Sequence, residues 1–265
     1  MERKVGLTKL FAFDVDGTLL TSDHRILPST KEALRLIAAQ GHRSILASAR
    51  PPVGLEPIWR QLGFHLLYIS LNGALIGDGE KVLFEQEIPA PGVEQALQLA
   101  RELGLSINFY AGQRWLIEEE NPYSAQEAEI VEAQPELADL DAISKVHKIL
   151  VMGCAEKISM YQKRLQAASP LVNASLSKPT YCEIVSREVS KGRALKQVCA
   201  CLGIGLHQTV AFGDGENDLE LAATAGRAVA MGNGHPALLA KADFVSTSND
   251  QDGILAGVQW ALSQP

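Results

Sequence analysis

The sequence predicts an α/β fold: a doubly wound parallel sheet interrupted by an inserted α+β unit. Two observations predict it. Short apolar strand signals alternate with amphipathic helix signals through the first eighty residues and again near the C-terminus, and βαβ alternation implies a parallel sheet covered on both faces. Between those stretches the apolar runs are longer and alternate with polar residues. Two of them flank Lys178-Pro179-Thr180, the turn signal of an antiparallel hairpin. The core is therefore expected over 1–84 plus 187–265, and the insertion over 85–186.

In order, residues 9–13 read as an apolar strand running into Asp14. A helix starts at Pro28, carries Ala33, Leu34, Ile37 and Ala38 as its apolar stripe, and stops at Gly41. Residues 44–47 form a second strand, 53–62 a helix and 66–70 a third strand. In the insertion, strands are expected at 105–110, 146–153, 171–177 and 181–185, with a helix striped by Val93, Ala96, Leu97 and Ala100. Pro89 and Pro91 mark its entry and 186–190 its exit. The first pattern then returns, with helices at 192–202, 219–225, 237–241 and 253–262 and strands at 209–213, 227–231 and 244–246. The layout is Rossmann-like.

A chain of 265 residues, 46% hydrophobic and 21% charged, has ordinary globular composition and can bury a large core. Its 24 basic against 31 acidic residues give a net charge of −7, which speaks against nucleic acid or an anionic membrane as partner. No apolar run reaches membrane-spanning length and the N-terminus lacks a signal-peptide pattern, so a cytoplasmic protein is expected. Cys154, Cys182, Cys199 and Cys201 form no CxxC pair and read as reduced packing residues, and the six scattered histidines offer no zinc spacing.

Ligands of open parallel sheets sit beyond the carboxyl ends of the strands. Four polar groups fall there: 14–18 (DVDGT), 48–50 (SAR), Lys191-Gly192 and 213–218 (GDGEND). Asp14 and Asp16 stand two apart, so extended geometry would aim both carboxylates the same way, with Gly17 turning the backbone beneath a ligand. Repulsion between them would leave one ionised and the other protonated, a division suited to Asp14 as nucleophile and Asp16 as general acid. A turn using Asp and Gly for local hydrogen bonds is the plainer alternative. The acids of 214–218 crowd the same region, and a hard divalent ion on oxygen ligands, Mg²⁺ beside a phosphate, would make that crowding tolerable. Ser48 offers a hydroxyl followed by free backbone N–H groups, and Lys191 opens a helix where a cation is locally unfavourable unless it meets an anion. Nucleophile, acid, metal site, hydroxyl and cation together form a phosphoryl-transfer set.

The strings FDVDGTLL, ILASAR, ISLNGALI, VSKGRAL, VAFGDGENDLELAATAG and AVAMGNG make the chain resemble the haloacid dehalogenase-like hydrolases, specifically Cof-type phosphatases with an inserted α+β cap. The resemblance implies that Asp14 becomes an aspartyl-phosphate and Asp16 serves as general acid/base. It implies Mg²⁺ held by the Asp14 carboxylate, the Asp16 carbonyl and Asp214, with Asp218 supporting the metal shell. Ser48, Lys191, Asn217 and the N–H groups of Val15 and Ala49 would contact the phosphate, and Asn72 would stand at the site's mouth. The acid at position 16 implies water as final acceptor. Two departures stand out: Ala49 replaces the family's usual glycine, and Glu216 occupies a position where it is expected to crowd the metal.

The implied substrate is a small phosphorylated metabolite such as a sugar phosphate, chosen by the cap, with Trp115, Glu118, Tyr123, Lys178 and Tyr181 as candidates to face it. A phosphomutase of the same superfamily and a non-catalytic sugar-phosphate sensor are the alternatives, although a sensor would be expected to have lost a chemical group. Lack of GxGxxG and GxxxxGK argues against a dinucleotide-binding oxidoreductase and a P-loop enzyme.

Overall fold

A computed structural model describes residues 8–79 and 81–264. The chain runs β1 (Leu10–Phe13), α1 (Pro28–Ala39), β2 (Arg43–Ala47), α2 (Glu56–Leu62), β3 (Leu67–Ser70), β4 (Leu75–Asp78) and β5 (Lys81–Glu85). It continues through α3 (Ala90–Glu102), β6 (Ser106–Ala111), β7 (Arg114–Ile117), α4 (Pro122–Val131), β8 (Glu136–Leu137), β9 (Lys148–Met152), α5 (Ala155–Ala168), β10 (Val172–Lys178) and β11 (Tyr181–Ser186). It ends with α6 (Lys191–Leu202), β12 (Thr209–Gly213), α7 (Leu219–Thr224), β13 (Arg227–Ala230), α8 (Pro236–Leu239), β14 (Phe244–Val245) and α9 (Gly253–Ser263).

Eight strands form one sheet in the order β14-β13-β12-β1-β2-β3-β4-β5. It is parallel from β14 to β3 and antiparallel at β3-β4-β5. Alternate residues of β1 enter different apolar layers: Phe11 and Phe13 pack on one face, Leu10 and Ala12 on the other. A strand buried on both sides must be apolar throughout, which is why LFAF shows no polar position. Phe13 and Phe212 of β12 pack with ring centroids 4.6 Å apart, joining strands about two hundred residues apart in sequence.

The second sheet, β10-β11-β9-β6-β7-β8, is built from residues inserted between β5 and α6 and is antiparallel except at β7-β8. Its strands also sort by face. Ile107, Phe109, Ile149 and Val151 pack under α3 and α5, whereas Tyr110, Leu150, Met152 and Tyr181 share an apolar cluster with Leu55, Ile58 and Leu71 of the first unit. The hairpin expected at 178–180 is present as β10-β11.

Differences from the sequence reading are local. The hairpin β4-β5 extends the first sheet where no strand was expected. It is short, Gly77 lies in it under the Tyr68 ring, and its outer strand leaves Val82 and Leu83 exposed, so the burial pattern is weak. The strands β7 and β8 were likewise not anticipated. Ala38 lies on the exposed side of α1, whose buried stripe is Thr30, Ala33, Leu34 and Ile37.

Candidate active site

The carboxyl ends of β1, β2, β3 and β12 deliver Asp14, Ser48, Leu71-Asn72 and Asp214 to one rim, and α6 begins there with Lys191. Asp14 is fixed through its N–H, which donates to the Phe212 carbonyl at 2.9 Å. Beyond it the chain leaves extended geometry. Leu19 and Leu20 donate back to the carbonyls of Asp14 and Val15, closing a wide turn that contains Gly17 at φ 78°. A Cβ on Gly17 would collide with the Asp214 carboxylate, so glycine here serves both the left-handed backbone and the close approach. Thr18 Oγ1 donates to Asp214 Oδ1 at 2.9 Å, and Asn233 Nδ2 donates to the Gly17 carbonyl at 2.9 Å.

Asp14, Asp214 and Asp218 converge with one carboxylate oxygen from each within 4.8 Å of the others. Lys191, 1% exposed, donates from Nζ to Asp14 Oδ1 at 2.6 Å and to Asp218 Oδ1 at 2.7 Å. The other Asp218 oxygen accepts the N–H groups of Asp214 and Gly215 at 3.1 and 3.0 Å. Asp218 is thus committed to holding the loop and the lysine. Burial and the neighbouring Asp218 and Asp214 push the Asp14 carboxyl well above the usual carboxylate range, against the pull of Lys191. Burial likewise raises Asp214, opposed by the Thr18 hydrogen bond. Burial alone would lower Lys191, but Asp14 and Asp218 hold it above its ordinary value as a firm ammonium. Three carboxylates against one lysine leave the cluster short of positive charge, and an all-oxygen acidic set of this kind fits a hard divalent cation.

Asp16 behaves differently from the sequence expectation. Its side chain lies outside the cluster of Asp14, Asp214 and Asp218 and is 46% exposed, and Arg50 grips it with two hydrogen bonds, Nε to Oδ2 at 2.8 Å and Nη2 to Oδ1 at 2.7 Å. Partial burial would raise its carboxyl, but the Arg50 hydrogen bonds and charge bring it below the ordinary range. The split in proton affinity therefore runs opposite to the one expected from repulsion: Asp14 is raised and Asp16 lowered. Burial beside Asp218 and Asp214 raises Asp14, and Asp16 is lowered by a bidentate arginine whose effect the sequence reading of SAR left out.

Ser48 donates its N–H to the Ile69 carbonyl, and its Oγ accepts the Arg50 N–H at 3.0 Å, curling 48–50 over the rim. The N–H groups of Val15 and Ala49 meet no acceptor among the described residues. Asn72 occupies the left-handed region at φ 58°, directly after Leu71 at φ 52°, and its N–H donates to the Ser48 carbonyl. Two successive non-glycine residues in that region mark a turn held by its surroundings. Asn217 is exposed, with Nδ2 3.5 Å from Asn72 Oδ1. Glu216 is exposed and does not join the carboxylate cluster, so the expected crowding is absent.

Comparison with known proteins decides the family. The family model described as haloacid dehalogenase-like hydrolase matches residues 11–257. The chain belongs to the haloacid dehalogenase-like hydrolases. This hydrolase is 31% identical to a haloacid dehalogenase-like hydrolase from Bacteroides thetaiotaomicron of known structure, at a TM-score of 0.87 over 96% of this chain and 99% of that one. It is 30% identical over 236 residues to the HMP-PP phosphatase of Serratia proteamaculans, covering 87% of this chain and 86% of the relative. A solved HAD subclass IIB sugar phosphatase superposes with a TM-score of 0.84 at 26% identity, over 96% of this chain and 98% of that one. Among the described residues no helix of the hydrolase is long and apolar enough to cross a membrane.

Of the insertion residues expected to face the site, only Tyr181 belongs to the buried layer shared with the first unit and also presents a polar atom there without a partner. Trp115 is buried with its indole N–H on Asn108 Oδ1. Glu118 pairs with Arg101 of α3, on the helical side, and so faces away from the rim. Tyr123 packs at the edge of the shared cluster, and Lys178 stacks over the Tyr181 ring. Lys148 and Glu183, which the sequence reading missed, reach the rim instead: Lys148 Nζ donates to the Ala49 carbonyl at 2.9 Å, and Glu183 Oε2 accepts from Asn72 Nδ2 at 2.6 Å. The only sequence signal for them was a charged residue within an otherwise apolar strand.

Proposed function

We propose that this hydrolase is a Mg²⁺-dependent phosphatase of small phosphorylated metabolites, working through an aspartyl-phosphate on Asp14. The observation that carries the reading is the convergence of Asp14, Asp214 and Asp218 around Lys191, beside the Ser48 loop and the Arg50-held Asp16. The donor set fits Mg²⁺ held by the Asp14 carboxylate, the Asp16 carbonyl and Asp214, with Asp218 orienting the loop. The ion would neutralise the non-bridging phosphate oxygens and keep Asp14 ionised.

Ser48 Oγ, Lys191 Nζ, Asn217 and the N–H groups of Val15 and Ala49 would bind the phosphate and aim phosphorus at Asp14. An Asp14 oxygen attacks phosphorus while the protonated Asp16 carboxyl donates its proton to the departing oxygen, releasing the alcohol. The Asp16 carboxylate then takes a proton from water as that water attacks the aspartyl-phosphate, regenerating Asp14 and releasing inorganic phosphate. A substrate that displaces the Arg50 pairing returns Asp16 toward its neutral form when the first step needs it. Residues 85–186 act as the cap, 1–84 plus 187–265 as the catalytic core, and the four free cysteines suit a reducing cytoplasm.

Phosphate release from a panel of phosphomonoesters tests the reading. Turnover that needs Mg²⁺ and vanishes in Asp14→Asn supports it; no release from any monoester overturns it.

A further inference from the structure

The polar contacts at the rim form a continuous series that passes through the insertion. From Asp14 it runs to Lys191 and Asp218, along the loop to Asn217, and on to Asn72 at 3.5 Å. Asn72 donates to Glu183, Glu183 pairs with Lys148 at 2.9 Å, and Lys148 returns to the Ala49 carbonyl, next to the arginine that holds Asp16. Lys148 and Glu183 stand on neighbouring strands β9 and β11, and are 3% and 8% exposed.

A buried ion pair contributes little net stability, because desolvation offsets most of the attraction. Here two charged side chains are sunk into the seam directly over the Ser48 loop, where a leaving group would sit. Their charges cancel. The neighbouring Glu127, also buried, adds no positive charge, and burial pushes its carboxyl upward. The Tyr181 hydroxyl lies buried beside Glu127 with no partner in hydrogen-bonding geometry. Of the other cations nearby, Arg50 is paired with Asp16, and Lys178 is exposed and stacked over the Tyr181 ring. A second phosphate entering this seam would meet Glu183 beside Lys148, a pair with no net positive charge to offer it. Neutral hydroxyls would meet an ammonium donor, a carboxylate acceptor and a phenol.

Building on the phosphatase reading, we infer that Lys148 and Glu183 are the specificity-determining pair, selecting a neutral polyhydroxylated leaving group. The substrate class is therefore sugar or polyol monophosphates, in preference to bisphosphates and diphosphates. On binding, sugar hydroxyls replace the Ala49 carbonyl as partner of Lys148 and the Asn72 amide as partner of Glu183.

The test compares ribose 5-phosphate and glucose 6-phosphate with glucose 1,6-bisphosphate and with p-nitrophenyl phosphate, which carries no sugar hydroxyls. The wild type is expected to favour a sugar monophosphate over both comparison substrates in kcat/KM. In Lys148→Ala and in the shape-preserving Glu183→Gln, the ratio of kcat/KM for that sugar to kcat/KM for p-nitrophenyl phosphate falls about tenfold or more, the size of one lost charge-assisted hydrogen bond, chiefly through KM. An unchanged ratio in both variants overturns the inference, since a purely structural role lowers both substrates together. Preference for the bisphosphate, or wild-type turnover of p-nitrophenyl phosphate but of no sugar phosphate, also overturns it while leaving the phosphatase reading intact. Failure to hydrolyse even p-nitrophenyl phosphate with Mg²⁺ removes that reading and the inference with it.

Discussion

Lys191 Nζ lies 2.6 Å from the nucleophile-position carboxylate of Asp14, and both groups are withdrawn from solvent. The lysine is the internal counter-ion of the acidic cluster. Lys191→Met would strand Asp14 and Asp218 in a buried site, and breaking a buried pair in this way costs about 3–5 kcal/mol. Urea denaturation without metal should show that loss, and stability equal to wild type would contradict the counter-ion role.

Asp14→Asn keeps shape and hydrogen-bonding capacity but removes the oxygen proposed to attack phosphorus. Phosphate release should drop by a factor on the order of 10⁶, as when the nucleophile of a coupled catalytic set is removed, while the melting temperature stays near wild type.

Binding of Mg²⁺ to the folded state alone stabilises it by mass action, about 2.7 kcal/mol at a hundredfold excess over Kd. A thermal melt with added Mg²⁺ should therefore shift upward for the wild type and stay flat for Asp214→Asn. A chelator should abolish turnover. An equal shift in both proteins would place the ion elsewhere.

Arg50 keeps the Asp16 carboxyl below its ordinary range through hydrogen bonds and charge, outweighing burial. Removing the guanidinium in Arg50→Gln raises Asp16. If Asp16 is the general acid, the basic limb of the kcat–pH profile moves to higher pH, with a lower maximum because the carboxyl is less well positioned. A limb that stays in place would assign the proton transfer to another group.

His147 is fully buried, accepts the Gly112 N–H on Nδ1 and faces Glu85 at 3.1 Å from Nε2, with Lys145 and Glu87 beyond. Burial outweighs Glu85 and holds the imidazole below its ordinary value of 6.5. Such a histidine contributes stability that is complete above the unfolded value and is lost as pH falls through it toward the folded one. The melting temperature should decline on acidification below about pH 6.5. His147→Gln should flatten that decline.

The parallel core was legible because strands buried on both faces must be apolar: LFAF is so throughout, and SILA and TVAFG are so after a first hydroxyl residue. The rim was legible because Asp14, Ser48, Lys191 and Asp214 directly follow strands or open a helix. The hairpin β4-β5 was missed because an edge strand with Val82 and Leu83 in solvent lacks a burial pattern. The role of Arg50 and the place of Lys148 were missed because they depend on partners 34 and 99 residues away, Asp16 and the Ala49 carbonyl, and no local pattern encodes such pairings. The reversed proton affinities of Asp14 and Asp16 have the same origin.

The neighbouring position of β1 and β12 also has a temporal side. The ribosome releases the first strand about two hundred residues before its partner, roughly 10–40 s earlier at ordinary elongation speeds. Until then Asp14 has neither Lys191 nor Asp214 beside it. A nascent chain is therefore chemically silent toward the metabolites around it until residues 214 and 218 have emerged to join Asp14.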